Sequence, residues 1–225
     1  MSSLVTQERI IEVLEWAYDK ALTGVPGTDS SFEMAHEYLR HEGTLVDKVN
    51  SLIRWQNTKA GAAGFVTGLG GLVTLPVAIP ANLASVLFVQ IRMVAAIAHM
   101  GGHDIKSDKV RTLVLSCLAG DAAMEILRDF GIQLSGKLAR IAISKISGSV
   151  IKKINQAIGF RLVTKAGSTG LINLTKMVPF VGGVVGGAFD ATVTNTIGNV
   201  ARKIFITSEI VNDAAQTTEP APEAG

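Results

Sequence analysis

The side chains that could do chemistry fall into four groups, and none has the spacing of a familiar reaction centre. His99 and His103 are four apart, with Asp104 adjacent. Two imidazoles at i and i+4 on one helix can share a metal ion. Here Gly101 and Gly102 stand between them, and no Cys or Glu completes a set. Helix-end capping and solvent contact are the expectation for both histidines, and no metal or cofactor is assigned. The glycine runs GLGG (68–71) and FVGGVVGGAFD (180–190) are a second group. A phosphate loop needs a following Lys-Ser/Thr and a preceding strand, and these runs lack that context. Serines are scattered without a G-x-S-x-G, so no catalytic residue is assigned. Cys117, the single cysteine, lies in the apolar run LVLSCLAG and is expected to be a small buried hydrophobe.

The third group is polar residues inside apolar stretches: Gln90, Arg92, Asp121, Arg161, Asp190 and Asn195. A charge there must be paired or must reach water. The expectation is a buried hydrogen-bonded network of Gln90, Arg92, Asp121, Asp190 and Asn195, with Asp190 a candidate partner for Arg92 or Arg161. A functional pocket is the alternative. The fourth group is cationic. Residues 130–189 carry Lys137, Arg140, Lys145, Lys152, Lys153, Arg161, Lys165 and Lys176 and no acid, whereas residues 1–59 hold nine acids against six bases. A one-sided basic segment calls for an anionic partner: lipid headgroups, nucleic acid or an acidic protein face.

The elements that position these groups read as helices throughout. Leu4, Ile11, Leu14, Tyr18 and Leu22 recur at helical spacing over residues 4–22. Ser30-x-x-Glu33 and Thr44-x-x-Asp47 have the form of capping boxes. They place helix starts near residues 31 and 45, with Gly43 ending the first. The run 60–91 has 32 positions without a charge. Its glycines 61, 64, 68, 70 and 71 follow a helix, Pro76 and Pro80 break it, and a new helix runs over 81–100. Gly101-Gly102 closes that helix, and Ser107 or Asp108 caps the next, which reaches Gly131 with a break at Gly120. Ser147-Gly148 splits the basic segment into two amphipathic helices. Residues 168–176 are a connector helix, Pro179 breaks it, and a last helix spans 182–212. Gly64/Gly68, Gly182/Gly186 and Gly183/Gly187 are GxxxG pairs, which let another backbone approach closely. Period-two alternation is absent. The expected fold is all-α, a compact multi-helix bundle over 1–212 with two Gly/Pro-rich helical hairpins, and a disordered tail at 213–225.

The composition, 48% hydrophobic and 18% charged, is apolar for a soluble domain, which carries roughly 25% charged residues. Each side of Pro76–Pro80 is short of the roughly 20 apolar residues that spanning needs. A hairpin dipping into one leaflet, or the central hairpin of a bundle, fits that length. Trp55 sits where an interfacial anchor would, or in the core. The N-terminus has no secretory pattern, so a cytoplasmic location is expected.

The stretches SLIRWQ, GFVTGLGGLVTLPVAIPANLASVLFVQIRMVAAIA, NQAIGFRLVTKAG and MVPFVGGVVGGAFDATVTNTIGNVA together resemble the EcsC family of bacterial proteins. The likeness covers most of residues 8–206. The run LPVAIPANLASVLFVQIRM also looks like the YcjF-like membrane-associated segment found beside some GTPases. The EcsC resemblance implies an all-helical bacterial protein, cytoplasmic or at the inner membrane, and brings no catalytic residue with it. The resulting expectation is a non-enzymatic protein bound peripherally at the inner face of the cell membrane. Anionic lipid would be its partner, a membrane protein a further one, and nucleic acid none. A soluble adaptor for a transporter or GTPase, or a lipid-directed enzyme with a cleft between helices, are the alternatives.

Overall fold

The computed structural model describes residues 7–61, 81–132, 139–165 and 183–206, with side chains at 7–58, 84–132, 142–162 and 192–206. Ser30 begins the second helix by a reciprocal pair of bonds. Its hydroxyl accepts from the Glu33 amide at 3.2 Å, and the Glu33 carboxylate accepts from the Ser30 amide at 2.8 Å. Thr44 and Asp47 do the same for the third, at 3.2 and 3.1 Å. Both capping boxes read in the sequence therefore form. Each satisfies two amides that a helix start leaves without partners.

Among the described residues the helices are α1 (Gln7–Thr23), α2 (Ser31–Leu39), α3 (Leu45–Gly61), α4 (Ala81–Met100), α5 (Asp108–Cys117), α6 (Ala123–Asp129), α7 (Ala139–Ser144), α8 (Gly148–Lys165) and α9 (Gly183–Phe205), with a 3-10 turn at Gly120–Ala122. No strand forms among these residues, and Val25 and Thr28 make one isolated bridge. The fold is all-α, as expected. The break at Gly120 and the split at Ser147-Gly148 are where the sequence put them. Ser107 is the cap of α5, with its hydroxyl accepting from the Val110 amide at 3.4 Å.

Helix α4 is the axis of the bundle. From residue 87 to 98 every side chain is buried, and α1, α2, α3, α5 and α9 all pack on it. A helix apolar on every side is stable in water only when covered on every side. Alanines 95, 96 and 98 keep it thin. It ends where Gly102 turns to φ 73°. The His103 amide then reaches back to the Ala98 carbonyl at 3.1 Å and the Gly102 amide to His99 at 2.9 Å. This is the double closure of a Schellman end.

Around that axis, α3 and α9 run antiparallel in a register fixed by three rungs. Arg202 Nη1 donates to Asn50 Oδ1. Ile53 lies over Gly198, where a Cβ would stand 2.9 Å from Ile53 Cγ1. Asn57 Nδ2 donates to Asn195 Oδ1 at 3.0 Å. Helix α9 ends on α4: a Cβ at Gly101 would lie 2.4 Å from the Phe205 carbonyl oxygen. That carbonyl accepts a hydrogen bond from His103 Nε2 at 3.1 Å. On the other side α1 and α5 carry α8. Gly159 fits against Gln7 and Ile11, and Gln7 Nε2 donates to the Gln156 carbonyl at 3.0 Å.

The sequence-predicted packing positions Gly64, Gly68, Pro76, Pro80, Pro179 and Gly182, the connector 168–176 and the tail 213–225 lie outside the described residues. Gly183, Gly186 and Gly187 fall in the first turns of α9. Gly187 is three turns before Gly198, so helical periodicity puts the two on the same side of α9.

Candidate functional site

The two histidines do different things. His103 is buried and spends Nε2 on the Phe205 carbonyl. A carbonyl can only accept, so Nε2 carries the proton. His99 lies in the last turn of α4, edge-on to Phe32 at 5.0 Å and to His36 at 5.4 Å between ring centroids. Asp104 accepts from the Lys106 amide at 3.0 Å. Among the described residues no three His, Cys, Asp or Glu side chains converge. Cys117 is buried and its thiol is pushed far up by desolvation, so it is held as a neutral thiol.

Burial, and then the neighbouring His36 ring, hold His99 below the ordinary value of 6.5. A depressed folded value means that the unfolded chain takes up the proton first. Stability is therefore full above about pH 6.5 and falls as the pH drops through the His99 value. Glu33 and Asp47, both lowered by their capping bonds, lose their contribution only at more acid pH. Thermal melts from pH 7.5 to 5.5 should show a falling Tm in the wild type. His99→Gln should flatten the slope in that window, and His36→Gln should flatten it in part. An unchanged slope in His99→Gln would refute the assignment.

Of the expected buried network, two members are inside. Gln90 and Arg92 are buried, Arg92 at 2% exposure. Arg92 Nη1 donates to the Asp29 carbonyl at 3.0 Å, its guanidinium stands 5.5 Å from the Phe88 ring centroid, and its Nε has no partner among the described residues. Desolvation lowers its pKa, and the Asp29 charge opposes that shift. Ser31 Oγ donates to the Ala21 carbonyl at 2.8 Å, with the Arg92 carbonyl at 3.3 Å. This buried arginine ties the axis helix to the turn before α2 through backbone oxygen, and its candidate pairing with Asp190 lies outside the described side chains. Asp121 and Asn195 are exposed, which corrects their place in a buried network. Asp121 opens the 3-10 turn, and Asn195 faces Asn57 at the rim of the α3–α9 contact. Arg161 is exposed as well. Asp190 is on α9, and its side chain lies outside the described set.

The crevice among Glu15, Arg111, Asn155 and the apolar side chains of α1, α5 and α8 has about 20 Å³ of room. That admits roughly one water, and no acyl chain.

The basic residues come out on the surface. Lys145, Lys152, Lys153 and Arg161 are all exposed. Arg140 lies on α7 and Lys165 on α8, with their side chains outside the described set, and Lys137 and Lys176 lie outside the described residues altogether. Two aromatics share the surface: Phe160 at 63% exposure, on α8, and Trp55 at 52%, on α3. Trp55 is therefore not a core tryptophan. Spacing alone could not separate the exposed Phe160 from a core residue, because Ile158 and Leu162 beside it do face inward. Among the described residues no helix is long and apolar enough to cross a membrane.

The model of the EcsC protein family matches residues 29–207. The chain belongs to the EcsC family. No curated protein and no solved structure matches it. The EcsC match begins at Asp29, whose carbonyl holds Arg92, and runs through the end of α9. It omits α1, which nevertheless packs on both α4 and α8. Tyr18 of α1 donates to the Ile105 carbonyl at 2.7 Å.

Proposed function

We propose that this EcsC-family chain is a binding protein without catalytic activity, attached peripherally to anionic lipid at the inner face of the cell membrane. One observation carries the reading. The basic residues of an acid-free segment are exposed wherever their side chains are described, and they stand outside the buried core of the described helices. Lysines on a helix face draw a chain to anionic lipid by about 1 kcal/mol each near the surface. The interaction is screened within a Debye length, about 10 Å at 0.1 M salt. Residues 87–91 of the uncharged run are spent in the core, so apolar contact from the Gly/Pro-rich runs would have to come from their remaining residues.

The test is cosedimentation of the full chain with vesicles of phosphatidylcholine alone and of phosphatidylcholine with 30 mol% phosphatidylglycerol. Binding to the anionic vesicles at 50 mM salt, lost by 500 mM, is expected, with none to the neutral ones. Fractionation of cells should then find the native protein with the membrane, released by a carbonate wash. Absence of binding to anionic vesicles at low salt would sink the reading and favour a protein-binding adaptor.

A further inference from the structure

The face of α8 that points away from the bundle combines charge with an apolar side chain in one arrangement. Ser149, Lys152, Lys153, Gln156, Phe160 and Arg161 are exposed, whereas Ile154 and Ile158 on the opposite side are buried. At about 100° per residue, Phe160 falls near the middle of the exposed arc. Lys152 lies about 80° to one side of it and Arg161 about 100° to the other, with Lys153 nearly in line. At the edge of that arc Gly159 meets α1, and the Gln156 carbonyl accepts from Gln7.

We propose that this face is the membrane contact itself: α8 lies in the plane of an anionic bilayer, Phe160 enters below the headgroups, and Lys152, Lys153 and Arg161 hold the phosphates around it. The proposal rests on the peripheral-membrane reading above. A phenyl ring at 63% exposure between cations matches a surface that is anionic at the top and apolar a few ångströms down. An interfacial amphipathic helix has that layering, with cationic stems bending up from an apolar centre. A nucleic-acid backbone offers the charge without the apolar depth.

The charges on the helices packed against α8 set the tilt. Glu8, Glu12, Glu15 and Asp19 are exposed on α1, and Glu125 and Asp129 on α6. An anionic surface repels them. Helix α1 meets α8 on the Gly159 side, about 100° from Phe160 and opposite Arg161. The protein therefore rests on the Phe160 and Lys153 line, tilted toward Arg161, with α1 lifted away and Lys152 reaching the headgroups from the α1 edge.

Flotation of the full chain on the same two vesicle types tests the assignment. Phe160→Ala and the double variant Lys152→Gln/Lys153→Gln change exposed side chains, and melting curves taken alongside separate any loss of stability from loss of binding. Phe160→Ala should weaken partition onto anionic vesicles about tenfold, and the double lysine variant about 25-fold. A Phe160→Cys variant gives a third readout, because the buried native Cys117 leaves position 160 as the reactive thiol. An environment-sensitive dye placed there should brighten and shift to the blue on anionic vesicles. If the wild type floats but all α8 variants float equally and the dye stays in water, the α8 assignment fails and the peripheral reading stands. If the lysine variant weakens while Phe160→Ala and the dye do not respond, contact is electrostatic and insertion is refuted. Equal loss of heparin binding in Phe160→Ala would mark a general polyanion site and overturn the proposal. A wild type that floats with neither vesicle type defeats the peripheral reading itself.

Discussion

Gly101→Ala should destabilise this protein by about 4 kcal/mol, more than any surface change. A methyl there would stand 2.4 Å from the Phe205 carbonyl oxygen, well inside contact distance. The obstacle is backbone, at the last residue of α9, so no rotamer change relieves it. Either α9 withdraws from α4 or the end of α4 unwinds. Overpacking of this kind costs about 1–3 kcal/mol. Withdrawal also breaks the bond from the buried His103 ring to that carbonyl, and two unpaired buried groups cost about 1–3 kcal/mol more. For a chain of this length about 4 kcal/mol lowers Tm by roughly 12 °C. Gly148→Ala is the control, since nothing lies within 4 Å of a Cβ at the start of α8, and it should leave Tm unchanged or slightly raised. A Gly101→Ala protein melting within 3 °C of the wild type would show that the α4–α9 junction is softer than its geometry states.

The second large effect is at the crossing of α3 and α9. Two terms compete at Gly198. Alanine is favoured over glycine inside a helix by about 1 kcal/mol. Against that, the new Cβ would meet Ile53 Cγ1 at 2.9 Å and Cγ2 at 3.0 Å. Ile53 is 3% exposed, and its branched Cβ leaves one favoured χ1 on a helix, so one branch cannot swing clear without moving the other. Overpacking wins. Gly198→Ala should cost about 1–2 kcal/mol, and Gly198→Leu about 4 kcal/mol. The decisive measurement is the double-mutant cycle. Ile53→Ala alone should cost about 3 kcal/mol through its cavity. In that background Gly198→Ala should become stabilising by about 1 kcal/mol, because only the helix preference remains. Additive urea midpoints across the cycle would rule out the direct contact.

How far the sequence could be read is clear from these positions. Helix starts were legible because they are local: Ser30 with Glu33, and Thr44 with Asp47, complete their bonds within three residues. The end of α4 was legible for the same reason, since Gly102 needs no distant neighbour to take a positive φ. Gly101 and Gly198 were not legible as contact points. What makes them glycine is Phe205 in one case and Ile53 in the other, each more than 100 residues away. The GxxxG spacing falls on other glycines, because it encodes an approach between helices without naming the partner. The polar residues divide in the same way. Gln90 and Arg92 lie on the helix that became the axis and are buried, whereas Asp121 and Asn195 lie at rims and are exposed. Their apolar surroundings in sequence were alike.

For the proposed surface, charge was legible and direction was not. The acid-free run of lysines and arginines is a property of composition, and any fold would carry it. That Phe160 points outward among the cations, while Ile158 two positions earlier points inward, depends on α1 and α5 covering one side of α8 and leaving the other open. The sequence by itself determined the helical class, most helix boundaries and the basic segment, because capping, periodicity and charge act over a few residues. Tertiary structure alone decided which helix became the axis, which glycines are contact points and which face carries Phe160, because burial depends on neighbours that the chain brings together only on folding.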